Sequence, residues 1–158
     1  QNRSTTRTVR CDVTDEPGPV LDQVNLVVKD MEAMAAFYAR LGLEMQGGSP
    51  EWDPHHRSAR AEGGLDLDLD SREFAAVWNR GWPAADSGAV LGFRLPTRGA
   101  VDELYGQLTG DGYAGQQPPY DAFWGARYAV VQDPDGNAVG LMSPSDPEHR
   151  SIGPAPPT

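Results

Sequence analysis

The chain has 158 residues, a net charge of −10 and a pI near 4.6. That length fits one domain or two very small ones, and the acidic balance argues against nucleic acid or an anionic membrane as partner, since both need a basic footprint. With 18 glycines, 14 prolines, Cys11 as the single cysteine, no apolar run of membrane-spanning length and no signal-like start, the expectation is a soluble cytoplasmic protein without disulfides or a cysteine zinc site.

Residues 1–19 are polar and show no helical or strand period, so they read as a poorly ordered tail. Val24, Leu26 and Val28 then alternate with Gln23, Asn25 and Val27, the period of a half-buried strand. Asp30 stands at an N-cap position before the helical stripe Met31, Met34, Phe37, Tyr38 and Leu41, and Gly42 closes it. The short apolar runs 43–46, 55–61 and 65–70 predict three more strands, and 71–78 predicts a connecting helix.

The same order then returns at a fixed offset. Val24 maps onto Leu91, Leu26 onto Phe93 and Val28 onto Leu95, with Thr97 as the second cap. Val101, Leu104, Tyr105 and Leu108 form the second helical stripe before Gly110. A weak strand near 113–116 and two firmer ones at 127–132 and 138–142 complete the repeat. Each half reads βαβββ, with the boundary inside 81–88. The expected organisation is a first module plus linker helix at 20–82, a second module at 83–143, and a proline-rich, poorly ordered tail at 144–158. Helices packed on one face of the joined sheet leave the other free to line a cavity.

LDQVNLVVKDMEAMAAFYARLGLEM (21–45) and YAVVQDPDGNAVGLMSP (128–144), set in this paired repeat, resemble the vicinal oxygen chelate superfamily. That group includes glyoxalase I, extradiol dioxygenases, methylmalonyl-CoA epimerase and the bleomycin and fosfomycin resistance proteins. The resemblance implies an α+β fold: two paired βαβββ modules forming an eight-stranded, cup-shaped sheet with helices on its outer face. It also implies a homodimer. Metal-dependent members commonly place a histidine where this chain has Gln23, a second ligand at Val90, a glutamate at Gly140, and a further ligand near Asp66 or Asp68. Valine and glycine side chains cannot coordinate, so no metal and no cofactor are expected.

Strand alternation within that fold turns Gln23, Asn25 and Val27 toward the cup, with Val90, Gly92 and Arg94, and Ala138, Gly140 and Met142. LDLDLD (65–70) places its leucines on the helices, so Asp66 and Asp68 enter the cup and Asp70 enters or rims it. Of the adjacent His55 and His56, at most one can face inward. His55 is the candidate base or ligand contact, against the plainer reading of a solvated edge histidine. Tyr120, Phe123 and Trp124 in the loop 115–128 offer aromatic wall, or else core packing. Trp52, Trp78 and Trp82 are expected at the module junction or a dimer interface, and Met31 and Met34 in the core.

These residues favour a non-catalytic protein that sequesters a small cationic or aromatic molecule, resembling the drug-binding members of the superfamily. A lyase, isomerase or dioxygenase with an altered site using Asp66, His55 or Gln23 is the second reading. A regulatory domain with a vestigial cup is the third.

Overall fold

The computed structural model describes residues 17–83, 88–132, 134 and 136–157. Residues 1–16 of the expected N-terminal tail and 84–87 of the 81–88 boundary lie outside the described residues. In chain order the elements are β1 (Val20–Val28), α1 (Met31–Ala39), β2 (Gln46–Gly47), β3 (His56–Arg60), β4 (Asp66–Ser71) and α2 (Arg72–Trp78). The second half supplies β5 (Gly88–Arg94), α3 (Arg98–Gly110), β6 (Gly115–Asp121), β7 (Arg127–Gln132) and β8 (Ala138–Met142). The eight strands form a single sheet in the order β2-β3-β4-β1-β5-β8-β7-β6.

The repeat explains that order. Within each module the first strand pairs in parallel with the last, β1 with β4 and β5 with β8, while β1 and β5 meet antiparallel at the centre. All three helices begin at a side-chain cap. Asp30 Oδ1, Ser71 Oγ and Thr97 Oγ1 accept the amide hydrogens of Ala33, Phe74 and Ala100 at 2.9, 3.1 and 3.1 Å. Gly42, at a φ of 86°, turns the chain out of α1 through a left-handed conformation that glycine adopts without strain.

The alternation of β1 separates two apolar layers. On the convex side, Val28 and Leu69 pack with Met31 of α1, while Leu141 and Ala129 pack with Val101 of α3. On the concave side, Val27, Val90, Val130 and Ala138 pack against Phe74, Ala75 and Trp78. The connecting helix therefore takes the side of the sheet opposite α1 and α3. Its aromatic residues occupy part of the cup, and Trp78 is 4% exposed.

Several boundaries differ from the sequence reading; the strand expected over 43–46 is the two-residue β2 at Gln46–Gly47. The weak strand expected near 113–116 starts two residues later and runs further: β6 extends from Gly115 to Asp121, straight through Pro118 and Pro119. It is an edge strand, and its pairing with β7 is irregular between Gln117 and Tyr120, so the two missing amide hydrogens fall outside the regular ladder. Residues 144–157, read as a loose tail, fold back on the turn between β6 and β7 and include a 3-10 turn at Pro147–His149. The amide hydrogens of Asp146 and Ser151 go to the carbonyls of Gly125 and Phe123, each at 3.1 Å.

Candidate ligand-binding site

The concave face holds a cavity of about 540 Å³, within the range typical of small-molecule sites. One wall is aromatic. Trp52 stacks on Phe123 with centroids 6.3 Å apart and meets Phe74 edge to face at 5.1 Å. Trp124 stands edge to face against both Phe123 and Tyr128, at 5.1 and 5.6 Å. Trp78 and Met142 complete the apolar lining.

The other wall is polar and comes from three neighbouring strands. Register pairs Asn25 with Asp68 on one side and Val90 on the other, and pairs Gln23 with Asp66 and Gly92. β3 lies beyond β4, with Ser58 opposite Asp68 and His56 opposite Asp70. The inward side chains of one face thus converge without any loop.

Asp70 anchors this wall. It is 1% exposed, and it accepts from Asn25 Nδ2 at 2.7 Å and from Trp78 Nε1 at 2.8 Å, with His56 Nδ1 at 2.6 Å. Three donors offset the cost of burying a carboxylate. The bond to Asp70 also fixes the Asn25 amide, leaving its Oδ1 as an acceptor; that atom is buried and without a partner. Asp68 accepts from Gln23 Nε2 and is 8% exposed.

Burial pushes the Asp68 carboxyl up to about 7; the charge of His56 opposes this, those of Asp70 and Asp66 reinforce it, and the Gln23 hydrogen bond works against it. Burial works against charge on His56, but the hydrogen bond and charge of Asp70, with the charge of Asp68, leave its imidazole above the ordinary value. Burial likewise raises the Tyr128 phenol, so it stays protonated. Near neutral pH the wall is therefore poised between a neutral and an ionised Asp68.

Of the residues singled out from sequence, Gln23, Asn25, Asp68, Phe123, Trp124 and Met142 line this cavity. Asp66 lies on a second, adjoining cavity. Tyr120 sits behind the wall, its hydroxyl donating to the Trp78 carbonyl at 3.2 Å and its ring against Trp124 and Tyr128. Arg94 is away from the cavity, paired with Asp22 at 3.1 Å. His55 faces Ser71 Oγ at 2.9 Å, and its neighbour His56 takes the inward position. The β3–β4 register sets His56 opposite the inward Asp70, and that decides which histidine points in.

The lining also includes Asp70, expected to enter or rim the cup, together with Trp52, Phe74, Trp78, Tyr128 and His56, which are not among the ligand contacts expected from the sequence. The signal for Asp70 and His56 was present in the unbroken LDLDLD alternation and in the pairing of that strand with its neighbour. Phe74 and Trp78 carried none, because the helical stripe does not say which face of the sheet it covers.

The Glyoxalase/Bleomycin resistance protein/Dioxygenase superfamily model matches residues 20–141. The chain belongs to that superfamily. Among solved structures, an NAD-dependent benzaldehyde dehydrogenase from Legionella pneumophila is 24% identical at a TM-score of 0.59, covering 77% of this chain and 96% of that one. The Mn(II)-bound glyoxalase of Novosphingobium aromaticivorans is 22% identical at 0.56, covering 78% of this chain but only 38% of that chain. Methylmalonyl-CoA epimerase from Mycobacterium tuberculosis is 16% identical at 0.54, covering 87% and 95%. These likenesses establish the vicinal oxygen chelate fold. No curated protein matches the chain.

The positions at which metal-dependent members of the superfamily carry ligands do not fit a divalent cation here. Val90 is packed into the concave core at 2% exposure. A Cβ on Gly140 would lie 2.8 Å from the Tyr128 hydroxyl, so that phenol fills the space a longer side chain would need. Gln23 is spent on Asp68. Among the described residues no three histidine, cysteine, aspartate or glutamate side chains converge as a metal site. No helix among those residues is long and apolar enough to cross a membrane.

Proposed function

We propose that this protein binds, without metal and without turnover, a small molecule carrying an aromatic group and a positively charged nitrogen. The observation that carries this is the placement of Asp68 in the polar wall of a cavity whose facing wall is Trp52, Phe74, Trp78, Phe123, Trp124 and Tyr128. Indole and phenyl faces attract a planar ring and favour a nearby cation. A carboxylate in so apolar a setting gains more from an ammonium partner than it would in water.

The division of polar capacity supports the same ligand. Asp70 uses its three bonds to hold the wall rigid, while Asp68 and the unmatched Asn25 oxygen are acceptors. A donor-bearing ligand complements acceptors, and an anion would be repelled. Binding of a cation holds Asp68 ionised, so complex formation below neutral pH releases a proton. A homodimer and a cytoplasmic location belong to the same reading. Equilibrium sedimentation tests the first: a dimeric mass is expected, and a monomer at all concentrations overturns it.

Calorimetry in EDTA with 2-naphthylmethylamine and the neutral 2-naphthylmethanol tests the binding. The amine is expected to bind at least about tenfold more tightly, with Asp68→Asn removing the difference. Equal affinities, or binding that appears only on adding a divalent cation, would overturn the proposal.

A further inference from the structure

A second cavity of about 740 Å³ adjoins the aromatic one along the edge of the cup formed by β2, β3 and β4. The two share Gln23, His56 and Asp68. Their chemistry is opposite. Where the first is walled by rings, the second presents Glu44, Gln46, Ser58, Arg60 and Asp66. The shared residues are thus the partition between an apolar chamber and a polar one, and Asp68 has a face in each.

We infer that the site takes one elongated ligand whose ammonium sits at Asp68 between an aromatic group in the first chamber and a neutral, hydroxyl-rich head in the second. This deepens the proposed function and rests on it. Three features select the head. Ser58 is directly opposite Asp68 in the β3–β4 pair, so a group leaving the ammonium meets it first. Arg60 has its guanidinium committed to Asp66 at 3.2 Å and to the Gly64 carbonyl at 3.1 Å, so it is poorly placed to receive a phosphate or carboxylate. Glu44 and Asp66 add negative charge that disfavours an anionic head and provides acceptors for hydroxyl groups. The chemical class is a secondary amine joining an arylmethyl group to a polyol or sugar-like chain.

Two synthetic amines separate this inference from the reading beneath it. N-(2-naphthylmethyl)-D-glucamine carries the full three-part design, and N-methyl-2-naphthylmethylamine lacks only the polyol. The glucamine derivative is expected to bind at least about tenfold more tightly by calorimetry in EDTA. Ser58→Trp, which puts a bulky ring into the polar chamber that Ser58 lines, is expected to bring the two affinities within about twofold. Circular dichroism confirms that the variant folds. Equal affinities in the unmodified protein, or a Ser58→Trp variant that keeps the full preference or weakens both amines alike, would overturn the two-chamber ligand while leaving amine binding intact. Failure of both amines to bind overturns the proposed function together with it.

Discussion

The Tyr128 hydroxyl occupies the space above Gly140, 2.8 Å from where that residue's Cβ would be. The two residues belong to adjacent antiparallel strands, and the phenol reaches across from the Tyr128–Met142 pair to cover the neighbouring glycine. Gly140→Ala is therefore expected to destabilise the protein by about 1–3 kcal/mol through overpacking. Tyr128→Phe in the same chain should restore much of that loss, since it removes the nearest atom. Urea unfolding of both single variants and the double variant measures the coupling; additive effects would show that the phenol is not the obstacle.

Asp68 sets a pH dependence of stability. Its folded-state value, about 7, lies above its ordinary 3.8, so the folded chain holds a proton that the unfolded chain releases. Stability is fully present below about pH 4 and falls as pH rises through 7. The raised His56 runs in the same direction: its contribution is present below its ordinary 6.5 and is lost as pH rises past its folded value. Asp68→Asn should flatten the slope between pH 4 and 7 and raise stability at pH 8 by on the order of 1–3 kcal/mol. Thermal melts across that range, with and without the substitution, check the sign.

Asp70→Ala leaves Asn25 Nδ2, Trp78 Nε1 and His56 Nδ1 without their acceptor. A loss of about 3–5 kcal/mol is expected, the range for removing one partner from a buried charged network. In the milder Asp70→Asn, the chain should remain folded while the His56 imidazole titrates lower, because burial then acts with less opposition. Proton NMR of the imidazole reads that shift directly, and an unchanged titration would contradict the role given to Asp70.

Removal of residues from Ser145 onward takes away the bonds that hold the turn carrying Phe123 and Trp124. The Ser145 hydroxyl donates to the Trp124 carbonyl, Ser151 donates to that of Phe123, and Gly153 lies against the Phe123 ring. The truncated chain should keep its sheet, since none of the strands is lost. Affinity for 2-naphthylmethylamine should drop about tenfold as two aromatic side chains must be ordered on binding. Fluorescence titration together with circular dichroism distinguishes a loosened wall from an unfolded protein.

Much of this arrangement is written in local pattern. Val24, Leu26 and Val28 against Gln23 and Asn25, and the leucines of 65–70 against their aspartates, assign two strands to two faces by period alone. Asp30 and Thr97 mark where two helices start. What local pattern could not reach depends on distance in space. The choice between His55 and His56 turns on the register of β3 against β4. The strand through Pro118 and Pro119 depends on β6 being at the edge, which only the completed sheet reveals. The inward position of Phe74 and Trp78 depends on which side of the sheet a seven-residue helix crosses.

That crossing has a counterpart. After the last strand of the first module the chain runs into α2, which brings Phe74 and Trp78 onto the cup. After the last strand of the second module it runs into the segment that braces Phe123. Neither segment belongs to the repeated βαβββ unit, and the two are unlike each other in sequence and shape. A sheet built from two like halves would present a near-symmetric cup; here β4 of the first module makes one side acidic, and the appendages enlarge or brace the aromatic side. Substitutions in these two stretches outside the duplicated unit can then reshape the aromatic wall while the strand register that holds the molecule together, and the Asp68 it carries, are left unchanged.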